Sequence, residues 1–183
     1  DLSTGMLDEA RRTLSGYDRN FTFEIADVCD LQYADESFDV VTANYMLYHA
    51  SSQSKALSEI ARVLKPGGKL YAKTNSVDHI TEFLDLQHRF VSDHSQRANI
   101  GLAHAAFTLE NGGAMIDEHF SSHEIITEKG TCQATDPQIV IDYANSMDAD
   151  LQPEPLADFV TAQIKSQGHF AVTRFSGMFI AVK

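Results

Sequence analysis

One crossover unit constrains the fold of this chain more than any other segment. Residues 38–74 read FDVVTANYMLYHASSQSKALSEIARVLKPGGKLYAKT. The apolar, β-rich run at 38–43 predicts a strand of the kind that is buried on both faces of a parallel sheet, and residues 69–74 predict a second strand. A connection of this length implies that the two strands are parallel and joined by a right-handed crossover.

Between these strands the pattern predicts an amphipathic helix. Ser51 or Ser52 is a suitable N-cap, because a serine hydroxyl accepts a hydrogen bond from an N–H group of the first turn. The Pro-Gly-Gly sequence at 66–68 predicts the end of the helix and a reversal of the chain. In such sheets the ligand crevice lies at the carboxyl ends of the strands. The apolar face of the helix is formed by Ala56, Leu57, Ile60, Ala61, Val63 and Leu64.

Three blocks of sequence resemble a known enzyme family in their order and spacing: DLSTGML at 1–7, ADVCDLQYADESFDVVTANYMLYH at 26–49 and ARVLKPGGKL at 61–70. Together they are similar to the second half of a class I S-adenosylmethionine-dependent methyltransferase of the ubiquinone/menaquinone C-methyltransferase type. The resemblance covers residues 1–74. It implies S-adenosylmethionine as cofactor and an α/β, Rossmann-like methyltransferase sheet of strand order 3-2-1-4-5-7-6, with helices on both faces.

The glycine-rich G-x-G-x-G loop that follows the first strand of this family has no counterpart in the chain, whose ten glycines are scattered. We therefore expect residues 1–183 to be the C-terminal part of one methyltransferase domain, with the first strands absent and about 50–70 further residues preceding it. In the family's order, the third and fourth strands are separated by the second and first. Without those two strands, the third and fourth have unpaired edges and exposed apolar surface. A longer chain or a partner chain, such as a homodimer, would fill that gap.

The resemblance implies five cofactor-binding residues. Asp1, at the end of the second strand, would accept hydrogen bonds from both ribose hydroxyls, since a carboxylate has two acceptor oxygens. Asp27, after a strand predicted at 21–26, would receive the adenine amino group, while the Val28 N–H meets the ring. Met6 would lie near the adenine and Asn44 near the methionine moiety. Four of these residues have a structural alternative. Asp1 could be a helix-terminal acid, and Asp27 could form a turn. Met6 could pack in the core, and Asn44 could close an Asx-turn.

The sequence does not identify a catalytic residue. His49 lies past a strand end, where a general base could reach a substrate proton; alternatively, it packs and hydrogen-bonds within its loop. A sulfonium is an activated methyl donor, so alignment can supply much of the acceleration without acid–base help. Cys29 has no partnered base in the sequence, which favours a structural thiol over a nucleophile.

Residues 77–106 have helical apolar spacing and follow the last strand of the resemblance, which predicts a lid-like insertion that shapes the substrate pocket. Its histidines lack ligand spacing, and we predict no metal site. These histidines are His79, His88, His94 and His104. The candidates for the pocket wall are Arg89, Arg97, Tyr45, Tyr48 and Phe107.

The rest of the chain predicts the antiparallel edge that closes this fold. We expect a helix from about 112 to 120, a strand at 123–128 that Cys132 extends, and a helix from the N-cap Asp136 to about 147. A stiff connector at 152–155 then leads to a helix at 156–167 and to the last strands at 170–182. No second domain is indicated.

Composition narrows the function. Acidic residues outnumber Lys and Arg by 26 to 14, for a net charge of −12, whereas a protein that grips nucleic acid usually has a basic surplus. There is no membrane-length apolar run and no signal-peptide pattern, which predicts a cytoplasmic protein without membrane contact. The sequence thus predicts methyl transfer to a small molecule, with O, N and C acceptors all open.

Two other classes of function stay open at this stage. One is a methyltransferase-like binding or scaffold protein that has lost its chemistry. The other is a nucleotide-binding oxidoreductase on a related doubly wound sheet. The second is disfavoured, because LKPGGKL combined with D-x-S-x-x-M-L has no dinucleotide-binding counterpart.

Overall fold

One mixed sheet of four strands, with helices packed against it, forms the described part of the chain. The computed structural model describes residues 1–101, 103–147 and 149–183, without the side chains of residues 98, 99, 103 and 104. The strands are β1 (Phe38–Asn44), β2 (Leu64–Asn75), β3 (Ser122–Ala134) and β4 (Phe170–Val182). The α-helices are α1 (Thr4–Leu14), α2 (Gln53–Val63), α3 (Thr81–Phe90), α4 (Gly112–Asp117), α5 (Pro137–Asn145) and α6 (Pro153–Gln167). Short 3-10 turns lie at Leu47–His49, His94–Asn99 and Ala103–Ala106.

The strand order confirms the predicted topology for the strands that are present. The sheet runs β1-β2-β4-β3, which is the 4-5-7-6 part of the order 3-2-1-4-5-7-6. β1 pairs with β2 in parallel, and the other two ladders are antiparallel. The carboxyl ends of β1 and β2 therefore lie at the same edge of the sheet, where ligands of such folds bind.

The crossover between β1 and β2 follows the prediction, except at the Pro-Gly-Gly sequence. Ser52, rather than Ser51, is the N-cap of α2, and its Oγ accepts from the Lys55 N–H at 3.3 Å. β2 begins at Leu64, directly after α2, so the chain reverses before residues 66–68 and not, as predicted, at them. Residues 66–68 instead bulge out of the ladder with β1, and the backbone of Lys183 hydrogen-bonds to both glycines of the bulge.

Apolar clusters cover both faces of the sheet. On β4, Phe179 and Ala181 belong to one cluster with α2 and α4, while Phe170 and Val172 belong to another with α3, α5 and α6. Side chains of opposite parity on a strand point to opposite faces. Helices therefore pack on both sides, as predicted.

The expectation that β1 is buried on both faces is wrong. Val40, in the middle of the strand, is 51% exposed. Among the described strands β1 pairs only with β2, so its other edge and part of its surface have no covering element. The apolar composition of β1 is that of an interior strand, and the cavity described below lies against it.

Residues 21–26, predicted as a strand, are extended but do not join the sheet. Their partner is Asp1, whose amino group donates to Glu24 O at 3.3 Å and whose carbonyl accepts from Ala26 N at 3.2 Å. These two bonds have the pattern of a parallel pair around Ile25. Asp1 therefore lies beside residues 24–26, in the way that a neighbouring parallel strand would.

The C-terminal elements differ from prediction in their limits. β3 is longer than 123–128, and it includes Cys132, as anticipated. Asp136 caps α5 by accepting from the Gln138 N–H at 2.9 Å. The predicted connector at 152–155 is wrong, since α6 already begins at Pro153. A proline in the first turn costs no hydrogen bond and has a φ that suits the helix.

Candidate functional site: two cavities that share a histidine

A cavity of about 990 Å³ lies between β1 and residues 22–28. Four of the predicted site residues line it, namely Asp1, Asp27, Val28 and His49. Its apolar walls come from β1 and α2, through side chains such as Val41 and Ile60. The structure thus brings together residues that lie 48 positions apart along the sequence (1 to 49).

Asp1 stands before the first helix, at the mouth of this cavity. Its Oδ1 accepts from the Ser3 N–H at 2.8 Å, and Ser3 in turn caps α1 by accepting from the Met6 N–H. The helix-terminal arrangement foreseen as the structural alternative is therefore present. It uses one carboxylate oxygen, and Oδ2 accepts no hydrogen bond from the described residues.

Asp27 combines a turn with a position on the cavity wall. Its Oδ1 accepts from the Cys29 N–H at 2.8 Å, which closes an Asx-type turn. The same residue and Val28 line the cavity. The turn fixes the backbone of this loop, so the structural and the ligand-binding interpretations are compatible.

Arg62, which the sequence did not single out, holds this loop against α2. Its guanidinium donates to Leu31 O and Tyr33 O, both at 2.8 Å. It also pairs with Glu59 and Asp35, and these carboxylates, Glu59 first, raise the pKa of the guanidinium. A planar group with five donors can make all these bonds at once, which a lysine cannot. In the sequence, only the helical spacing of Glu59 and Arg62 pointed to an ion pair of Arg62, and nothing pointed to its bonds with the loop.

Two predicted cofactor residues do not line the cavity. Met6 is 60% exposed on α1, which also rules out the alternative of core packing. Asn44 shares a strand face with Val40 and Thr42, which do line the cavity, but it lies beyond the cavity rim at the strand end. The roles assigned to both residues stay predictions.

Cys29 is buried, with 2% exposure, and does not line either cavity. Its Sγ donates to Ser52 O at 3.4 Å and accepts from Ser51 Oγ at 3.4 Å. These contacts join the Asp27 loop to the N-terminus of α2. The position fits a structural thiol.

A second cavity, of about 570 Å³, opens at the carboxyl ends of β1 and β2. His49 lines it as well as the first cavity, so the imidazole is a wall of both. The neighbouring Tyr48 lines only the second, and burial, together with nearby Tyr45 and Tyr143, raises the pKa of its phenol. Leu84 of α3 and Ile100 contribute apolar walls from residues 77–106.

Two carboxylates fix the elements around this second cavity. Glu110 accepts from Ser76 Oγ at 2.6 Å and from the Val77 N–H at 3.1 Å. Glu82 accepts from Thr173 Oγ1 at 2.6 Å and from its N–H at 2.9 Å. Burial alone would raise the pKa of each carboxyl, but these hydrogen bonds outweigh it, and each pKa lies below its ordinary value.

Of the five candidates for the pocket wall, only Tyr48 lines the second cavity. Arg89 stacks its guanidinium 4.5 Å from the Phe159 ring centre, and Phe107 is a core residue that packs on Phe179. Lys73 lies over the ring of Tyr45. Arg97 lies outside the lining. The predicted lid function of residues 77–106 stays a prediction, because α3 packs into the core through Phe83, Leu86 and Phe90.

The histidines of residues 77–106 form no metal site within the described chain, where no three His, Cys, Asp or Glu side chains gather. His79 lines the second cavity, and its Nδ1 accepts from the Phe175 N–H at 3.1 Å. The side chain of His104 lies outside the described residues.

Two residues that line the second cavity each have one buried amide atom without a hydrogen-bond partner among the described residues. These atoms are Oδ1 of Asn75, at the end of β2, and Nε2 of Gln87, on α3. A buried polar atom without a partner costs about 1–3 kcal/mol, so such groups are few in folded proteins. Sequence reasoning missed both, because nothing in the sequence distinguishes a buried amide from an exposed one.

The strand order β1-β2-β4-β3, with helices on both faces, is that of the class I methyltransferase fold. Residues 1–72 match the methyltransferase domain family, which confirms the resemblance seen in the sequence. A demethylmenaquinone methyltransferase of Clavibacter sepedonicus is 47% identical over 70 residues, which are 38% of this chain and 28% of that protein. The ubiquinone/menaquinone biosynthesis C-methyltransferase UbiE of Desulfotalea psychrophila is 38% identical over 69 residues, 38% of this chain and 27% of that protein. The chain thus matches less than a third of the length of these relatives.

Solved structures extend the similarity of fold to the whole chain. A Bacillus halodurans protein assigned as a methyltransferase has a TM-score of 0.69 at 22% identity, covering all of this chain and 80% of that one. The phosphoethanolamine N-methyltransferase 2 of Haemonchus contortus, in complex with S-adenosylhomocysteine, has a TM-score of 0.56 at 20% identity, covering all of this chain and 42% of that one. The [4+2]-cyclase SpnF has a TM-score of 0.54 at 18% identity, covering all of this chain and 64% of that one.

In the described residues, every helix is too short or too polar to cross a membrane.

Proposed function

We propose that the protein transfers a methyl group from S-adenosylmethionine to a small molecule. The observation that carries this proposal is that Asp1, Asp27 and Val28, the residues expected to bind the cofactor, lie together in the first cavity although they come from separate segments of the chain. A second cavity opens at the neighbouring strand ends. His49 lines both, so a donor in the first cavity and an acceptor in the second would meet beside its imidazole.

The residues of the first cavity suit an adenosine group. Asp1 lines this cavity, and one of its carboxylate oxygens accepts no hydrogen bond from described residues, which leaves that oxygen available to a ribose hydroxyl. The turn at Asp27 presents a carboxylate and the Val28 backbone side by side, as acceptor and donor for the adenine edge. S-adenosylmethionine supplies a methyl group on a sulfonium, which is already activated, so the protein has mainly to align the two reactants.

The volume of the second cavity and the net charge of the chain favour a small molecule as the methyl acceptor. A cavity of about 570 Å³ lies within the range of small-molecule sites, and the net charge of −12 disfavours nucleic acid. The family match ends at residue 72, before most of the second cavity, so it carries no information on the acceptor. A cytoplasmic location and a homodimer remain predictions from the sequence.

The alternative is a binding or scaffold protein with the same fold. The likeness to a [4+2]-cyclase illustrates that this fold also serves other activities. The decisive test is a calorimetric titration of the complete gene product with S-adenosylmethionine and, separately, with S-adenosylhomocysteine. Binding of both at one site per chain supports the proposal, and the absence of binding overturns it in favour of a scaffold. Methyl transfer is then followed with isotope-labelled cofactor and extracts of small molecules.

A further inference from the structure

We infer that residues 76–82 form a pH-sensitive latch on β4, with the imidazole of His79 as its sensor: the latch is closed at neutral pH and opens as the pH falls. The inference concerns contacts within the chain. It therefore does not depend on methyl transfer.

The first observation is how one edge of β4 is covered. β3 pairs with β4 along its whole length, as far as Phe170. On the other edge, the ladder with β2 ends where Asn75 meets Ser176. Backbone groups of a strand beyond the end of its ladder need other partners. Residues 76–82 take the place of a neighbouring strand there.

Two backbone bonds join this segment to β4. The Ser76 N–H donates to Phe175 O at 3.0 Å, and the Ile80 N–H donates to Thr173 O at 2.8 Å. The carbonyl groups of this part of β4 are thus paired as they would be in a sheet.

The N–H groups of the same two β4 residues are paired with side chains instead. The Phe175 N–H donates to His79 Nδ1 at 3.1 Å, and the Thr173 N–H donates to Glu82 Oε2 at 2.9 Å. Carbonyl groups of a neighbouring strand would accept these bonds at every pH. Here both acceptors are titratable, so this edge of the sheet depends on their protonation.

The bond to His79 exists in only one protonation state. A backbone N–H can only donate, so Nδ1 has to offer a lone pair, which requires a neutral ring with its proton on Nε2. A protonated imidazole carries N–H groups on both nitrogens and accepts nothing. It would place two donors against each other at Phe175.

Backbone strain lies next to the sensor. Ile80 has φ 48° and ψ 34°, in the left-handed region that a β-branched residue rarely adopts. Its bond to Thr173 helps to hold it there, while Phe83 and Leu86 of the following helix pack into the core. Release of the latch would therefore relax residues 76–80 and leave α3 in place. Because Ser76 and Ile80 line the second cavity, this opening would loosen one of its walls.

Charged and titratable groups surround His79 on several elements. Glu82 on α3 interacts with it electrostatically, and Glu110 holds Ser76 and Val77. Burial would raise the pKa of each of these carboxyls, but their hydrogen bonds bring each below its ordinary value, so both stay ionised above pH 5. The other groups are Asp78 with its partner Lys129, which lies over the Phe175 ring, Arg174 beside Phe175, and Tyr48, His49 and Tyr143 on the cavity wall.

The sign of the pH dependence follows from the closed state. Only an imidazole ordinarily changes charge between pH 5 and 8, so His79 and His49 are the candidates for a response in that range. Closure requires an unprotonated Nδ1. The latch is therefore favoured at high pH, and its closure weakens by up to about tenfold for each pH unit once the open imidazole is protonated.

The test is amide hydrogen exchange by NMR between pH 5 and 8 on the complete gene product, without added ligand. Rates are expressed relative to intrinsic exchange at the same pH. We expect the protection of the Phe175 and Ile80 amides to fall by up to about tenfold per pH unit toward pH 5, while that of Phe179, inside both ladders, stays constant. Protection of Phe175 that follows Phe179 at every pH would overturn the inference.

Two variants of the sensor separate its acceptor from its charge. In His79→Asn, the amide oxygen replaces Nδ1 as an acceptor that does not titrate, so Phe175 should stay protected at every pH. In His79→Ala, protection should be low at every pH. His88→Asn, at an exposed position on α3, and His49→Ala should both keep the wild-type profile. A pH-dependent profile that survives in His79→Asn would assign the response to another group and overturn the inference.

The outcome is independent of the proposed function. If Phe175 responds to pH as expected but S-adenosylmethionine does not bind, the latch stands and methyl transfer is wrong. If the cofactor binds but the protection of Phe175 does not change with pH, the latch is wrong and the proposed function stands.

Discussion

The carboxylate of Glu110 accepts a hydrogen bond from the Ser76 hydroxyl at 2.6 Å, and this bond ties the end of β2 to the loop before α4. The Val77 N–H adds a second bond at 3.1 Å. Both groups stand at the point where the chain leaves the sheet and enters residues 77–106. The wall of the second cavity is thus anchored at its origin by one ionised side chain.

The pH dependence of stability follows from this anchor. Burial alone would raise the pKa of the Glu110 carboxyl, but the bonds from Ser76 and Val77 bring it below the ordinary value of 4.5. A lowered folded-state pKa stabilises the fold above pH 4.5, and that contribution is lost as the pH falls through the folded-state value. We expect Glu110→Gln to lose less stability than the wild type between neutral pH and the acid range, measured by urea unfolding at each pH. The exposed Glu124→Gln should retain the wild-type slope, and an identical slope for both variants would contradict the assignment.

Replacing Arg62 tests whether the loop of Asp27 must be held in place. Arg62→Lys cannot make the bonds to Leu31 O and Tyr33 O together with both ion pairs. Losing one or two of these hydrogen bonds lets the loop move away from α2, so we expect S-adenosylmethionine to bind severalfold more weakly by calorimetry. The exposed Arg12→Lys, which forms an ion pair with Glu9 on α1, is the control and should bind normally. Unaltered affinity in Arg62→Lys would show that the loop is held by other contacts.

Asp27→Asn separates the turn from the ligand contact. The asparagine oxygen can still accept from the Cys29 N–H, so the fold should be preserved, but the negative charge that would receive an amino group is removed. Hydrogen bonds to charged groups are worth about 1.5–3 kcal/mol, so we expect cofactor affinity to fall at least about tenfold. Asp30→Asn, in the same loop but outside the cavity lining, should bind as the wild type does. Equal affinity of the two variants would remove Asp27 from the site.

His49→Ala should weaken binding in both cavities, because the imidazole lines both. A general base contributes about 10²–10⁴-fold to turnover, whereas a methyl sulfonium reacts mainly through alignment. We therefore expect kcat to fall by less than about a hundredfold, with the pH profile unchanged. The exposed His88→Ala, on α3, serves as the control. A larger loss, together with a lost acid limb in the pH profile, would instead assign His49 as the base.

Two glycines of the antiparallel ladder should respond oppositely to the same change. A Cβ on Gly177 would lie 2.6 Å from Ile126 O and 2.9 Å from a methyl carbon of Leu109, whereas one on Gly130 meets nothing within 4 Å. Overpacking of this kind costs about 1–3 kcal/mol, so we expect Gly177→Ala to lower the free energy of unfolding by that amount. Gly130→Ala should be neutral or slightly stabilising. Similar values for the two variants in denaturant titrations would contradict the crowding at Gly177.

Most parts of the fold that sequence reasoning predicted are determined by local patterns. The crossover from β1 to β2 was predicted from periodicity, and the start of α5 from its capping residue Asp136. The order of the four strands was not a local pattern and came from the family resemblance. The predicted burial of β1 was wrong because an apolar strand requires neighbours, which a pattern cannot supply. Residues 21–26 have strand composition, but the described chain gives them only Asp1 as a partner.

The candidate site was predicted in part for the same reason. Asp27 and Val28 carry a motif, and they line the first cavity, as does Asp1. Gln87 and Asn75 carry none, since their unusual feature is burial without a partner, which arises only when α3 and β2 come together. Arg62 acts through contacts with loop residues about 30 positions away, beyond the reach of helical spacing rules.

The shared imidazole of His49 has a thermodynamic consequence. Because one side chain forms part of both walls, a ligand in either cavity would limit the rotamers that His49 can adopt toward the other. If both cavities are occupied as proposed, the two binding equilibria would be linked, and each ligand would change the affinity of the other by the same factor. Titrations with the two ligands in either order would then give the same coupling.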